Sequence, residues 1–259
     1  MEKKLAEPTP VRLRPVTSAS IGTTAFFRNR SLLNVVLDRL AKLESSELSV
    51  LVHACSIGAE VWSLVIATDL DPRYASKVIR FEACDIEAQF IAHAQNAVYP
   101  REILVGMQPS EQEYFDSVDD RHVRVCSRLR ERVQFLSSRS VVDFEAAKQY
   151  DIVLLLNALL YLPGELQSLT LNRIARYNTS LLITTGFHFD RIKADMQRNG
   201  YRPVAAGARE IHDGWTDRRR DGPVVNETIP GKIFHPWSLP TYSESEDFDY
   251  KYCSVFEKV

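Results

Sequence analysis

The chain has 259 residues, 45% of them hydrophobic and 25% charged, a balance that excludes a fibrous or disordered protein and suits one large domain. Lys and Arg number 32 against 34 Asp and Glu, so a formal charge of −2 sets up no basic field for nucleic acid or an anionic membrane. The longest apolar runs, residues 152–156 and 158–162, are far shorter than the ~18–20 residues of a membrane-spanning helix.

Residues 1–20 contain Pro and Ser without a period and are expected to form a lead-in arm, with a single domain over 21–259. The opening Met-Glu-Lys-Lys is not followed by the apolar stretch of a secretory signal, so a cytoplasmic location is expected. From Ser31 onward, Leu32, Leu33, Val35, Val36, Leu40 and Leu43 recur at helical spacing. Residues 49–54 are a short, apolar, β-branched run, the form of a strand buried on both faces of a parallel sheet. A helix over 60–67, a strand over 78–84 and a helix over 87–95 continue the alternation. Residues 101–132 break it, and a small, partly antiparallel lobe is expected there, separable from the main sheet and made locally basic by Arg121, Arg124, Arg128, Arg130 and Arg132. Strand character returns at 132–135, 150–156 and 180–185, with a helix over 163–177 between the last two. The pattern then predicts a helix over 189–199 closed by Gly200, a strand-like 201–211, a lid-like polar and aromatic stretch over 212–248, and a last strand over 250–256. Strands alternating with helices in this way predict an α/β protein with helices on both faces of one sheet.

The four cysteines, Cys55, Cys84, Cys126 and Cys253, are too far apart for a zinc knuckle or a redox pair, and no metal is expected. Cys55 and Cys84 end apolar runs, where a small buried thiol is the simplest reading.

Ligands of open α/β sheets lie at the carboxyl ends of the strands, so the turn from Ala54 to Glu60 comes first. It holds one glycine, Gly58, where a dinucleotide fingerprint has three, which argues against a nicotinamide or flavin. A ligand without phosphates needs less close approach: Glu60 offers a carboxylate to an ammonium, and Asp85, at the end of the second strand, offers one to ribose hydroxyls. An ammonium and a ribose in one crevice point to S-adenosylmethionine.

The same residues carry a family resemblance. Thr24-Ala25-Phe26-Phe27-Arg28 resembles the Thr-x-Phe-Phe-Arg motif of the bacterial chemotaxis-receptor glutamate methyltransferases (the CheR type), and residues 54–64 resemble that family's Gly-Cys-Ser-Thr-Gly-Glu-Glu turn. Cys84-Asp85-Ile86-Glu87, the helix end Ala97-Val98-Tyr99-Pro100 and Asn157-Ala158-Leu159-Leu160-Tyr161 match further segments in order, so the likeness covers about residues 22–186. It implies a Rossmann-like class I methyltransferase sheet with a small inserted lobe and a C-terminal extension. It places Ala54, Ser56, Gly58, Glu60, Asp85, Ile86, Asn157 and Ala158 around S-adenosylmethionine, and Arg28 and Tyr161 beside the methyl group. The sequence departs from the family at Ala59, where the first of two glutamates stands, at Leu156, where an arginine precedes the asparagine, and at Arg139, near an adenine-contacting asparagine. Only about 20 residues precede the Phe-Phe-Arg motif, where the family usually carries a helical receptor-docking domain.

Methyl transfer to a carboxylate, the acceptor that the resemblance implies, needs no base, because a carboxylate is ionised at pH 7. The acceptor is expected to be a protein or a small molecule. Two other readings stand beside this one: a small-molecule O- or N-methyltransferase with His188 or His212 as base, and a non-catalytic S-adenosylmethionine-binding regulatory module. Trp215, Phe234, Trp237 and Tyr242, interleaved with prolines, either cover the acceptor or pack a long connection onto the sheet.

Overall fold

The computed structural model describes residues 24–186, 189–220 and 248–259. The expected arm, His188, Phe234, Trp237, Tyr242 and most of the lid-like stretch lie outside the described residues.

Five parallel strands build most of the main sheet: β1 (Glu47–His53), β2 (Val78–Cys84), β6 (Val133–Phe135), β7 (Tyr150–Leu155) and β8 (Asn178–Thr184). With β9 (Tyr201–Pro203) and β10 (Val255–Lys258) the order is β6-β2-β1-β7-β8-β10-β9, and β10 runs antiparallel to both its neighbours. The chain moves outward from β1 to β6, then returns to the other side of β1 for β7. That reversal opens a crevice between β1 and β7 at their carboxyl ends.

The strands read as apolar runs because both faces are covered. Along β7, Ile152 and Leu154 enter one core while Val153 and Leu155 enter a second on the opposite face. The first core is roofed by α1 (Arg30–Ala41) and α2 (Ala59–Leu70), the second by α6 (Gly164–Tyr177) and α7 (Phe189–Arg198), whose Leu171, Ile174, Ile192 and Met196 are buried there. α2 is apolar all round and nearly every side chain from Ala59 to Thr68 is buried, so it needs a second cover on the side away from the sheet.

The inserted lobe supplies that cover. Its sheet has the order β3-β5-β4, from β3 (Val98–Pro100), β4 (Phe115–Ser117) and β5 (His122–Val125), with the short helices α4 (Pro109–Gln112) and α5 (Ser127–Arg130). Tyr99, Met107, Tyr114, Val125 and Leu129 lie in the same core as Val61, Trp62 and Val65 of α2. Asp69 near the end of α2 accepts from Tyr114 (2.8 Å), Arg128 (2.8 Å) and Arg132 (2.8 Å), so two of the expected basic-face arginines, the exposed Arg128 and the partly buried Arg132, tie the lobe to α2. The lobe begins at Val98, after α3 (Ala88–Asn96), and the expectation that it is separable is corrected: without it α2 exposes an apolar face.

Two further expectations change. The strand-like reading of residues 201–211 holds only for β9. Beyond Gly207, which has φ +76°, Ala208, Ile211 and His212 recur at helical spacing and α8 (Ala208–Arg220) packs on α1. The expected last strand divides into α9 (Phe248–Tyr252), whose two end rings lie with centres 5.2 Å apart at a tilt of 51°, and β10. The thiols of Cys55, Cys84 and Cys253 are buried and unoxidised, and burial pushes Cys84 up to about 12. Among the described residues no helix is long and apolar enough to cross a membrane, and no group of three or more His, Cys, Asp or Glu side chains lies together as a metal site.

Glu111 fastens the lobe to α1, accepting from Arg30 Nη1 at 2.7 Å and Nη2 at 2.8 Å and from the Gln108 N–H at 2.8 Å. Burial raises the Glu111 carboxyl, but the bonds from Arg30 and Gln108 outweigh it and hold the group below its ordinary value of 4.5. The contribution of a depressed carboxyl is complete above the unfolded-state value and is lost as pH falls through the native one. Glu111→Ala is expected to lower stability by about 1–3 kcal/mol at pH 7. In urea titrations from pH 7 to pH 3 it should also flatten the loss of stability that the wild type shows below about pH 4.5.

Candidate active site

The turn after β1 is tightly wound. Ala54 (φ 50°), Ser56 (φ 50°) and Gly58 (φ 90°) all adopt left-handed backbone, at a cost for the two non-glycine residues that clusters at functional sites. Gly58 alone has no substitute: a Cβ there lies 2.9 Å from Trp62 Nε1 and 2.9 Å from Ala94 Cβ. The Gly58 N–H donates to Cys55 O (2.9 Å) and α2 starts directly after it.

Asp85 ties this turn to the next one. It is 6% exposed, and its carboxylate accepts from the Ser56 N–H (2.8 Å) and the Glu87 N–H (3.0 Å). Burial raises its pKa, opposed by the N–H donors of Glu87, Ser56 and Ile86. Asp85 therefore works as a latch between the β1 and β2 turns, with both oxygens already engaged by backbone. Glu87, two residues on and half-buried at the start of α3, presents the less enclosed carboxylate. Ile86 between them is 62% exposed, an apolar side chain at the rim of the crevice. The loop after β6 closes on the same turn: Arg139 N–H donates to Asp85 O (2.9 Å), and the Ser138 hydroxyl donates to Ile86 O.

The Phe-Phe-Arg segment brings a cation into the opposite wall. Phe27 takes φ 48°, and its N–H donates to Ser63 Oγ at 2.8 Å. Asn29 caps α1, accepting from Leu32 N–H at 2.9 Å, while its amide nitrogen donates to Ile211 O of α8 at 2.9 Å. Held between these anchors, Arg28 forms an ion pair with Glu60 in which the side chains are only 6% and 12% exposed. Thr24 donates its hydroxyl to the other Glu60 oxygen at 2.6 Å. The Asn157 amide, placed by φ 54° after β7, donates to Thr185 Oγ1 (2.9 Å) and accepts from Arg28 Nη2 (3.2 Å) and Nη1 (3.3 Å).

A continuous polar chain thus runs from Thr24 through Glu60, Arg28 and Asn157 to Thr185, joining four separate segments. Arg28 and Glu60, expected in separate roles at the acceptor and the cofactor, are direct partners. Ala158 is half-buried beside Asn157. Tyr161, 60% exposed, stands close enough to Arg28 for the cation to lower its hydroxyl pKa, against desolvation that raises it more; at neutral pH the phenol keeps its proton. His212 is buried, packs on Tyr252 with ring centres 5.6 Å apart, and contacts Asp213 at 3.3 Å.

The family model for the CheR methyltransferase SAM-binding domain matches residues 22–186. The chain belongs to the CheR methyltransferase family. SAM is S-adenosylmethionine, and the crevice fits that ligand: left-handed backbone lines one wall, exposed Ile86 offers a flat apolar contact, and Glu87 and the Arg28–Glu60 pair offer polar ones. The chain is 32% identical over 155 residues to the probable biofilm formation methyltransferase WspC of Pseudomonas putida, a match covering 56% of this chain and 36% of the relative. It therefore spans about a third of the length of that curated relative. Among solved structures, the SAM-bound magnesium protoporphyrin IX methyltransferase of Synechocystis PCC 6803 is similar at a TM-score of 0.42 and 16% identity, over 68% of this chain and 69% of that one. Residues 942–1257 of StiE O-MT are similar at 0.41 and 13% identity, over 73% and 60%.

Asp85→Ala leaves the Ser56 and Glu87 N–H groups without their acceptor, and is expected to cost about 1–3 kcal/mol of stability. Urea denaturation without ligand checks this, because a residue that served only the cofactor would leave the apo-protein's midpoint unchanged.

Proposed function

We propose that the CheR-family domain transfers a methyl group from S-adenosylmethionine to an acceptor carboxylate by direct displacement. The observation that carries this reading is the buried Arg28–Glu60 pair, braced by Asn157, at the switch point of the sheet.

Glu87 is the carboxylate proposed for the ribose hydroxyls, with Ile86 against the adenine and the turn from Ala54 to Gly58 around the methionine part. Glu60 is the carboxylate proposed for the ammonium of the methionine part. When bound, S-adenosylmethionine supplies a methyl group made electrophilic by its sulfonium. The acceptor carboxylate is ionised at neutral pH, so the protein has to orient it and exclude water rather than remove a proton. Arg28 and the protonated Tyr161 hydroxyl both donate, and neither is a base at that pH. The new C–O bond forms as the C–S bond breaks, its electron pair stays on sulfur, and the products are a methyl ester and S-adenosylhomocysteine.

The burial of His212 of α8 against Tyr252 of α9 supports this baseless mechanism over one that uses His212. Arg28→Ala is expected to lower turnover by about 100-fold or more, with S-adenosylhomocysteine affinity reduced about tenfold at most. Tyr161→Phe should cost about tenfold in turnover, one orienting hydrogen bond. The product should release methanol on mild alkaline treatment, and a base-stable product would exclude a carboxylate acceptor.

A further inference from the structure

Three segments that wall the crevice leave from one buried cluster beside the second core. His53 ends β1, and its ring holds Nε2 at 2.9 Å from the Tyr177 hydroxyl of α6 and Nδ1 at 3.2 Å from the Cys84 thiol. Cys84 ends β2 and stands opposite His53 in the last pair of the β1–β2 ladder. Phe144, in the connection from β6 to β7, sets its ring edge-on to the imidazole at 4.6 Å and to Tyr177 at 5.6 Å. All four side chains are buried.

Each strand end and the connection lead straight into a wall of the crevice. Ala54, with its left-handed backbone, follows His53 directly. Asp85, which accepts from the Ser56 N–H, follows Cys84, and Arg139, whose N–H donates to Asp85 O, lies just before Phe144 on the same connection. A side chain needed only to fill the space would be apolar, as Leu51, Val153 and Leu155 of the same core are. An imidazole must instead find a partner for each ring nitrogen, and a polar network so satisfied admits one arrangement where hydrocarbon admits several. Burial keeps the imidazole and the thiol uncharged at neutral pH, so the cluster holds position and moves no proton.

We propose that His53 is a positioning residue for the cofactor: by joining Cys84, Tyr177 and Phe144 it fixes the spacing of the β1 turn, the β2 turn and the loop after β6, and through that spacing the affinity for S-adenosylmethionine. This rests on the reading of those three segments as the walls of the cofactor site. Enclosed by protein, the imidazole acts through the backbone of its neighbours rather than by contact with the ligand.

Calorimetry of S-adenosylhomocysteine binding to the full chain, at a temperature where circular dichroism shows each variant folded, tests this. His53→Leu, which makes neither bond, is expected to weaken binding about tenfold, and His53→Asn, whose amide nitrogen reaches where Nδ1 stands, to bring it back to within about threefold of the wild type. Tyr74→Phe supplies the comparison. It removes a buried hydroxyl that donates to Leu37 O in the first core, between α2 and the amino end of β2, and should lower the urea midpoint while leaving affinity unchanged. Where His53→Leu fails to fold, Cys84→Ala carries the same expectation, with Cys84→Ser restoring affinity. Unchanged affinity in folded His53→Leu or Cys84→Ala, no recovery in His53→Asn and Cys84→Ser, or an equal weakening in Tyr74→Phe overturns the proposal. No heat of binding by the wild type defeats the reading of the crevice and the proposal with it, whereas wild-type binding that these variants leave undisturbed defeats only the role of His53.

Discussion

A guanidinium and a carboxylate removed from water are costly to bury, and the Arg28–Glu60 pair is supported by Thr24, which donates to Glu60, and by Asn157, which accepts from Arg28. That requirement propagates outward. Arg28 reaches Glu60 only because Phe27 adopts a left-handed turn, and Phe27 is held by Ser63, one helical turn beyond Glu60 on the same helix. Asn157 reaches Arg28 only from its own left-handed position after β7, where Thr185 at the end of β8 receives its other donor. The strained residues are thus the ones that aim polar groups into the crevice, and the tightly packed sheet behind them supplies the rigidity that keeps them there.

The second wall of the crevice uses a carboxylate differently. Asp85 spends both oxygens on backbone N–H groups, so its side chain joins the β1 and β2 turns beside the bond from the Cys55 N–H to Cys84 O (3.0 Å). Glu87 and Ile86 inherit a fixed position from that latch. His53, at the end of β1 on the other face, is locked in the same manner by Tyr177 at 2.9 Å and Cys84 at 3.2 Å, and burial lowers its pKa to about 3, so it stays neutral at physiological pH. The strands that flank the crevice are therefore pinned from both faces of the sheet.

Much of this was legible in the residues. The strands from β1 to β8 that build the main sheet announce themselves because burial on both faces forces short apolar runs, and Arg28, Gly58 and Asn157 stand out as polar or conformationally special residues beside those runs. What was hidden falls into two kinds. Side-chain pairing across the fold leaves no periodic trace, so nothing in the order of residues says that Glu60 meets Arg28 or that Asp85 serves backbone before ligand. Period also misleads where aromatic residues crowd: residues 250–256 read as a strand, yet Tyr250 and Tyr252 lie on the short helix α9, where the Tyr252 ring meets Phe248 with centres 5.2 Å apart. The lobe reads as detachable because it breaks the alternation of strands and helices, whereas its role is encoded elsewhere, in the burial of α2 on nearly every side.

The position of β10 has a consequence for how the chain acquires this structure. β8 and β9 do not pair with each other; the last strand of the sheet enters between them, antiparallel to both. Until residues 255–258 have been synthesised, the edge of β8 presents unpaired N–H and C=O groups along an apolar strand, a template for pairing with another chain. A nascent chain that lacks residues 255–258 therefore carries an open edge in the middle of the finished sheet rather than at its margin.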